Sequence, residues 1–450
     1  MKGTQIKIKP VTRIEGHLQV DIEISGNDVN VRLRAGEFRG FERILVGRPV
    51  EEVVNIVPRV CGVCSVAHHL ASVKAVEAAL GIEPPQVAEI TRKIMGLGGV
   101  AQSHLLHMGF LMLPDVIKVH GAGDVYTTRL FKSISVLYSI ALKITSISGG
   151  RHVHPFNAVP GGVLRALSRE DVESIRKEAE VGLKTLSELS GEIINLLGKF
   201  IEDNAIDISQ GKTSLIALVN GEKDPMFYEG AVKVVRSDGY EELVSPSEYS
   251  KLVREEPVEY SYSKRVYLDV GGSRDVIRVG PLPRLLVAPY EQRDLGKDLY
   301  KYFDVVNRKW PNHVLVYNLA RLVEVAYCFE KILALLDELR VVGGEPRSQV
   351  ALKEGEGVGV VEAPRGLLIH HYKCNSNGIV TYANIITPTT INIAAIEQDV
   401  KETVKSLIAK SLDDPEYVKT KVLYLVRSYD PCISCATHSI RVIKKSGTKQ

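Results

Sequence analysis

Apolar and polar positions alternate along residues 5–34: Ile6 and Ile8, then Leu18, Val20, Ile22 and Ile24, then Val29, Val31 and Leu33. A period of two marks a half-buried sheet, and Ser25-Gly26-Asn27-Asp28 supplies a hairpin turn. Arg13-Ile14-Glu15-Gly16-His17 occupies the entry to that hairpin. From about residue 41 the spacing becomes helical. Val66, Leu70, Val73, Val76 and Leu80 recur at three- and four-residue steps with Gly81 as a stop, which predicts a helix over 64–80. Further helices are predicted over about 87–112, 126–147, 168–204 (ended or interrupted at Ile193–Gly198) and 293–340. Residues 210–290 are richer in Gly, Pro, Tyr and Val, with short alternating runs such as Ala231–Val235, and read as a mixed α/β insertion. A second hairpin is predicted over Val358–Ile386 about the turn Asn375–Gly378, then short helices over about 394–411 and 415–427. The expected class is α+β. It has a mainly helical core bundle and small β-hairpin sheets at the N-terminus and before the last cysteine motif.

Composition narrows the function classes. A chain of 450 residues has room for two to four domains, or for one large layered unit. A hydrophobic fraction of 45% with 25% charged residues is that of an ordinary globular chain. A formal net charge of +3 gives no polybasic field, so nucleic acid is not an implied partner. The opening residues Met1–Lys7 lack the apolar run of a signal peptide. No stretch has the ~18 unbroken apolar residues of a spanning helix, so a cytoplasmic protein is expected.

The six cysteines stand at 61, 64, 328, 374, 432 and 435. In a reducing compartment they argue for metal or redox use rather than disulfides. Cys328 lies in an apolar helical run and reads as core; Cys374 adjoins a turn and receives no role. The other four form two Cys-x-x-Cys pairs, Cys61-Gly62-Val63-Cys64 and Cys432-Ile433-Ser434-Cys435, suited to a soft metal. The first pair falls at a helix N-terminus, where the helix dipole favours thiolates. A structural zinc site is one reading. Pairs serving that purpose are usually ~12–20 residues apart in a module without its own core, whereas several hundred residues intervene here.

The neighbours of the pairs carry more. His68 follows the first pair and His438 the second, within Asp430-Pro431-Cys432-Ile433-Ser434-Cys435-Ala436-Thr437-His438. With Arg13–His17, Arg39-Gly40-Phe41-Glu42, the run Gly149–Gly162 and Glu362-Ala363-Pro364-Arg365-Gly366, the chain resembles the NiFe hydrogenase large subunit from residue 13 to residue 438.

That resemblance implies reversible heterolytic cleavage of dihydrogen at a Ni-Fe centre whose iron carries CO and two cyanide ligands. By position, Cys61 and Cys432 are the terminal nickel ligands, and Cys64 and Cys435 bridge nickel and iron. Glu15 becomes the proton gate beside Cys432, with a strand-edge surface glutamate as its alternative. Arg365 lies over the iron, against the alternative of a surface salt-bridge arginine. Thr389 takes the cyanide hydrogen-bonding position, against that of a plain strand former. Glu42, His438 and the backbone carbonyl of Ile385 are the implied Mg²⁺ ligands, and His68 orients a bridging thiolate.

One departure stands out: Ser103 precedes His104 and His107 where many relatives have an aspartate. This points to the cytosolic bidirectional branch (sulfhydrogenase, deazaflavin-non-reducing or NAD(P)-linked). His104 and His107 themselves read as satisfied core histidines. The resemblance makes 1–438 one unit and 439–450 a propeptide cut after His438 by a maturation endopeptidase. Two spare cysteines cannot hold an electron-exit cluster, so an iron–sulfur small subunit is required, docked beside the first Cys helix, with further electron-transfer subunits. A quinone-site subunit of respiratory complex I shares the scaffold but lacks the Cys pairs. The electron acceptor is set by other subunits.

Overall fold

The computed structural model describes residues 4–438 apart from 27, 120–124, 126–127, 221–223, 226 and 289–293. The predicted propeptide, 439–450, lies outside the described residues. The alternating N-terminal segment forms a three-stranded antiparallel sheet of Thr4–Ile8, Leu18–Ser25 and Asp28–Ala35. Its inward side chains, among them Val20, Ile22 and Leu33, are fully buried in the main core. The loop joining the first two strands carries Arg13–His17.

Gln86–Leu106, Arg129–Gly149, Arg169–Ala205, Tyr317–Leu339 and Pro388–Ala409 contribute to that core, and the helix before them, Ser65–Leu80, packs a second core with the later meander. Gly81 closes Ser65–Leu80 in the left-handed conformation, φ 61°, as its stop signal requires. Gly99 lets Gln86–Leu106 approach Ser65–Leu80, since a Cβ there would meet Val66. Arg129–Gly149 is the one helix among the described residues long and apolar enough to cross a membrane. It packs against Gln86–Leu106 and Arg169–Ala205 and ties to the latter through Lys143 and Glu178, 2.5 Å apart.

Four sequence expectations need correction. Arg169–Ala205 runs unbroken through 193–198, because Ile193, Leu197, Phe200 and Ile201 continue its buried stripe and Tyr302 packs on Gly198. That burial outweighs the ~1 kcal/mol propensity cost of one glycine. Residues 293–340 form two helices, Asp294–Lys309 and Tyr317–Leu339, because Pro311 cannot continue the ladder and Asn312 takes φ 53°. The helix expected from 87 to 112 is regular only to Leu106; His107–Met112 is a wider π turn. The helix expected from 394 begins at Pro388, where Thr387 caps it by accepting from the Thr390 amide. Thr389 therefore lies in a first helical turn and not in a strand.

The 210–290 insertion contains a seven-stranded mixed sheet, with Ser273–Arg278 parallel to Ser214–Asn220 and the remaining pairs antiparallel. The later hairpin is a three-stranded meander of Gly355–Ala363, Gly366–Cys374 and Val380–Ile386. Its first strand lies directly on the Ser65–Leu80 helix. Cβ atoms at Gly355, Gly357 and Gly359 would strike the backbone at Ala79, Ala75 and Ala71. This close approach joins the helix that follows the first Cys pair to the strand that leads to Arg365.

Candidate metal centre

The two Cys pairs reach one point from opposite ends of the chain. Cys64 caps the Ser65–Leu80 helix, and Cys432 caps the short Ile433–Ala436 helix. Parallel pairing between Glu15 and Cys432 joins the N-terminal loop to the second pair, with the Ile433 amide donating to the Glu15 carbonyl at 3.0 Å. Gly16, at φ 78°, sits so close to Ile433 that a Cβ would lie 2.9 Å from it.

The four sulfurs all lie within 4.8 Å of one another, and all four residues are buried. Cys61 and Cys432 are 3.2 Å apart, Cys64 and Cys435 3.1 Å, and Cys432 and Cys435 2.7 Å. Hydrogen bonds from Cys432, then Cys435 and Cys64, hold Cys61 well below the usual thiol range. Burial pushes Cys432 and Cys435 well above it. Four thiolate charges cannot share so small a buried volume without a cation, so this donor set fits soft metal ions.

Polar groups converge on the cluster from several elements. Cys432 Sγ donates to Glu15 Oε2 at 3.0 Å, and the Ser434 amide donates to the same oxygen at 3.0 Å. The Cys432 amide donates to Thr389 Oγ1 at 3.0 Å, leaving the threonine proton free to serve another acceptor. His68 Nε2 is 3.6 Å from Cys435 Sγ. Its Nδ1 is 3.0 Å from His370 Nε2, and His370 Nδ1 contacts the Tyr372 hydroxyl. Burial lowers His68 to about 4 and His370 well below its usual value, so both rings are neutral. A thiolate at Cys435 would accept from His68 Nε2, leaving Nδ1 to accept from His370, while the Tyr372 hydroxyl donates to Ser72 Oγ at 3.2 Å.

Arg365, 4% exposed, forms the roof. Its Nε donates to the Asp430 carbonyl at 2.5 Å, Nη2 to Asp430 Oδ1 at 2.9 Å, and Nη1 to Ser103 Oγ at 3.3 Å. Of five guanidinium protons, three are used in this way and two remain for a ligand in the small cavity between Cys64, Cys435, Leu368, Pro388 and Thr389. Asp430 is a site residue that sequence reasoning left without a role. Burial pushes its carboxyl up while Arg365 and Arg321 draw it back, and its Oδ2 has no hydrogen-bond partner among the described residues. The signal was its place immediately before Pro431-Cys432; its function depends on a left-handed backbone, φ 55°, that no periodicity reveals.

Glu42, His438 and Ile385 also meet. His438 Nε2 lies 3.6 Å from Glu42 Oε1 and against the Ile385 carbonyl, while the Ile385 amide donates to Glu42 Oε1 at 2.9 Å. A carboxylate, an imidazole and a carbonyl facing one another fit a small hard cation. His104 and His107 are buried core histidines held through Nε2 by Glu324 at 2.7 Å and by the Arg427 carbonyl at 2.8 Å, but they are only half satisfied, since neither Nδ1 has a hydrogen-bond partner among the described residues. Cys328 is buried core, and Cys374 packs with its sulfur 3.5 Å from the Lys353 carbonyl. An apolar cavity lined by Val63, Val66, Leu70, Leu97 and Val100 reaches Cys64.

Buried thiols with a carboxylate on one of them and an arginine roof define a redox metalloenzyme of the thiolate class. Comparison with known proteins makes that specific. The family model described as nickel-dependent hydrogenase matches residues 39–140 and 216–438, and one described as HoxL-like matches 5–32. An F420-non-reducing hydrogenase chain of Methanothermobacter marburgensis is 36% identical, over 97% of this chain and 95% of that protein. The alpha chain of sulfhydrogenase 2 of Pyrococcus furiosus is 31% identical, over 97% and 100%. Among solved structures, an NAD+-reducing [NiFe]-hydrogenase in the H2-reduced state superposes with a TM-score of 0.88 at 32% identity, covering 97% of this chain and 99% of that one. The chain belongs to the nickel-dependent hydrogenase family and is its large, catalytic subunit.

Proposed function

We propose that Cys61, Cys64, Cys432 and Cys435 hold a nickel–iron centre carrying CO and two cyanides, with Cys61 and Cys432 terminal and Cys64 and Cys435 bridging. When bound, that centre supplies the soft, redox-active acceptor for the electrons of dihydrogen. The surrounding residues handle the rest. Dihydrogen reaches Cys64 along the largely apolar cavity. Cys432 Sγ passes its proton to Glu15 Oε2, 3.0 Å away, and Glu15 is exposed enough to hand it on towards solvent. The two unused Arg365 protons and the Thr389 hydroxyl would be the donors available to the cyanides. His68 steadies Cys435. Glu42, His438 and the Ile385 carbonyl hold Mg²⁺, so that the chain end closes over the site after a maturation endopeptidase cuts behind His438.

Electrons leave through an iron–sulfur subunit docked at the turn of the first pair. Gly62 is exposed there while Cys61 and Cys64 are buried, so the surface lies one residue from one thiol and two from the other. The complex works in the cytoplasm, and further subunits set its acceptor.

The observation that carries this reading is the carboxylate on Cys432. A structural zinc site has no use for a proton acceptor bonded to a ligand thiol. The purified complex is expected to reduce viologen under dihydrogen and to lose that activity in Cys432→Ser. A fully metal-loaded complex that reduces none contradicts the reading.

A further inference from the structure

The loop that carries Glu15 is pinned at its far end by the Ile433 amide on the Glu15 carbonyl, and side chains hold the stretch that leads into it. Arg13 is in the left-handed region, φ 59°, and Gly16 is at φ 78°. A clamp of three charged side chains surrounds this loop from below. Asp115, 3% exposed on the Leu113–Val119 helix, accepts from Arg427 Nη1 at 3.0 and 2.9 Å and also from Arg13 Nη2. Arg427, 4% exposed, spends its other donors on the loop itself: Nε on the Thr12 carbonyl at 2.9 Å and Nη2 on Thr12 Oγ1 at 2.8 Å. Arg13 Nη1 adds a bond to the Leu111 carbonyl at 3.1 Å.

The placement in the chain gives these contacts their meaning. Arg427 lies on the Pro415–Tyr429 helix, five residues before Cys432, and it grips Thr12, three residues before Glu15. One guanidinium therefore ties the segment that presents the thiol to the segment that presents the carboxylate at a second point, beside the direct bonds of Ile433 and Ser434 to Glu15. Asp115 is shared by both arginines, offsets one of their two charges, and locks Arg427 in its two-point geometry.

We infer that Asp115 and Arg427 are positioning residues for proton transfer: together they hold Glu15 Oε2 against Cys432 Sγ, without touching the metal centre or the substrate themselves. The inference rests on the reading of Glu15 as the proton acceptor. Loss of the clamp lets the 12–16 loop relax, and a displacement near 1 Å at a transfer site can cost about 10²-fold in rate.

The test uses the assembled, nickel-loaded complex with Asp115→Asn, Arg427→Lys, Thr12→Val and, in parallel, Glu15→Gln. Three readouts are taken: dihydrogen–deuterium exchange with solvent, the solvent isotope effect on kcat, and the KM for dihydrogen. Arg427→Lys keeps the charge but loses the fork, and Thr12→Val removes one partner at an exposed position, so at least one variant loads metal. The expected result is an exchange rate lowered about ten- to a hundredfold in Asp115→Asn and Arg427→Lys, and less in Thr12→Val. The solvent isotope effect rises and KM is unchanged. Loaded clamp variants with wild-type exchange and isotope effect overturn the inference when Glu15→Gln has lost exchange. Wild-type exchange in Glu15→Gln overturns the underlying reading instead.

Discussion

Arg365 shows what a single side chain contributes that its charge alone would not. Its planar fork spends three protons on Asp430 and Ser103 and keeps two for the cavity over Cys64 and Cys435. An ammonium cannot reproduce that division of donors. Arg365→Lys is therefore expected to keep the metal content while lowering kcat by about 10²–10³-fold, the usual cost of losing a preorganised donor at developing charge. Steady-state viologen reduction beside nickel analysis checks it; unchanged kcat would remove Arg365 from the mechanism. At this scale the sequence was informative wherever chemistry was carried by residue identity. Glu15, His68, Glu42, His438 and the four cysteines were all nameable from their motifs, and the fold brings them together. Asp430 was not singled out, because its value comes from a left-handed residue that turns its carboxylate under Arg365. Asp115 and Arg427 were equally silent. A buried charge on a helix has no pattern of its own, and its partners lie some 312 residues apart in sequence.

Among the elements, the contact between the Gly355–Ala363 strand and the Ser65–Leu80 helix decides the most. Alternate glycines on the strand face Ala71, Ala75 and Ala79 on the helix, so backbone lies on backbone. The helix follows Cys64 and the strand ends two residues before Arg365, so their separation sets the height of the roof above the cluster. A single methyl at Gly357 must displace helix backbone, which has nowhere to go. Gly357→Ala is expected to cost about 3 kcal/mol, at the upper end of overpacking effects, and to lower the unfolding midpoint and the yield of metal-loaded protein together. A midpoint unchanged in denaturant melts would show that the strand can lift without consequence. The helix itself was legible from its three- and four-residue steps. Of the Gly-x-Gly-x-Gly run that lets the strand touch it, only Gly359 fell inside the expected Val358–Ile386 hairpin, because the partner helix is remote in the chain. Pro311 and Thr387 make the opposite point, for both are local signals. One divides the expected 293–340 helix and the other starts the Pro388–Ala409 helix early, each by hydrogen-bond chemistry that outweighs apolar spacing.

Viewed as a whole molecule, the fold converts two short motifs 371 residues apart into one buried cluster. Almost everything between them serves that end: the helical core fixes the first pair, the meander supplies Arg365 and the Ile385 carbonyl, and the last two helices deliver Cys432 and Cys435. The α+β class and the small sheets followed from periodicity. The seven-stranded sheet inside 210–290 did not, since its order joins Ser273–Arg278 to Ser214–Asn220 in parallel across a long excursion. Convergence of the four thiols at a nickel–iron centre is the central claim. Its most direct measurement is infrared spectroscopy of the purified complex together with metal analysis. The account predicts one nickel per chain, with one CO and two cyanide stretches that disappear in Cys64→Ser. Zinc in place of nickel, with no such stretches, would contradict it.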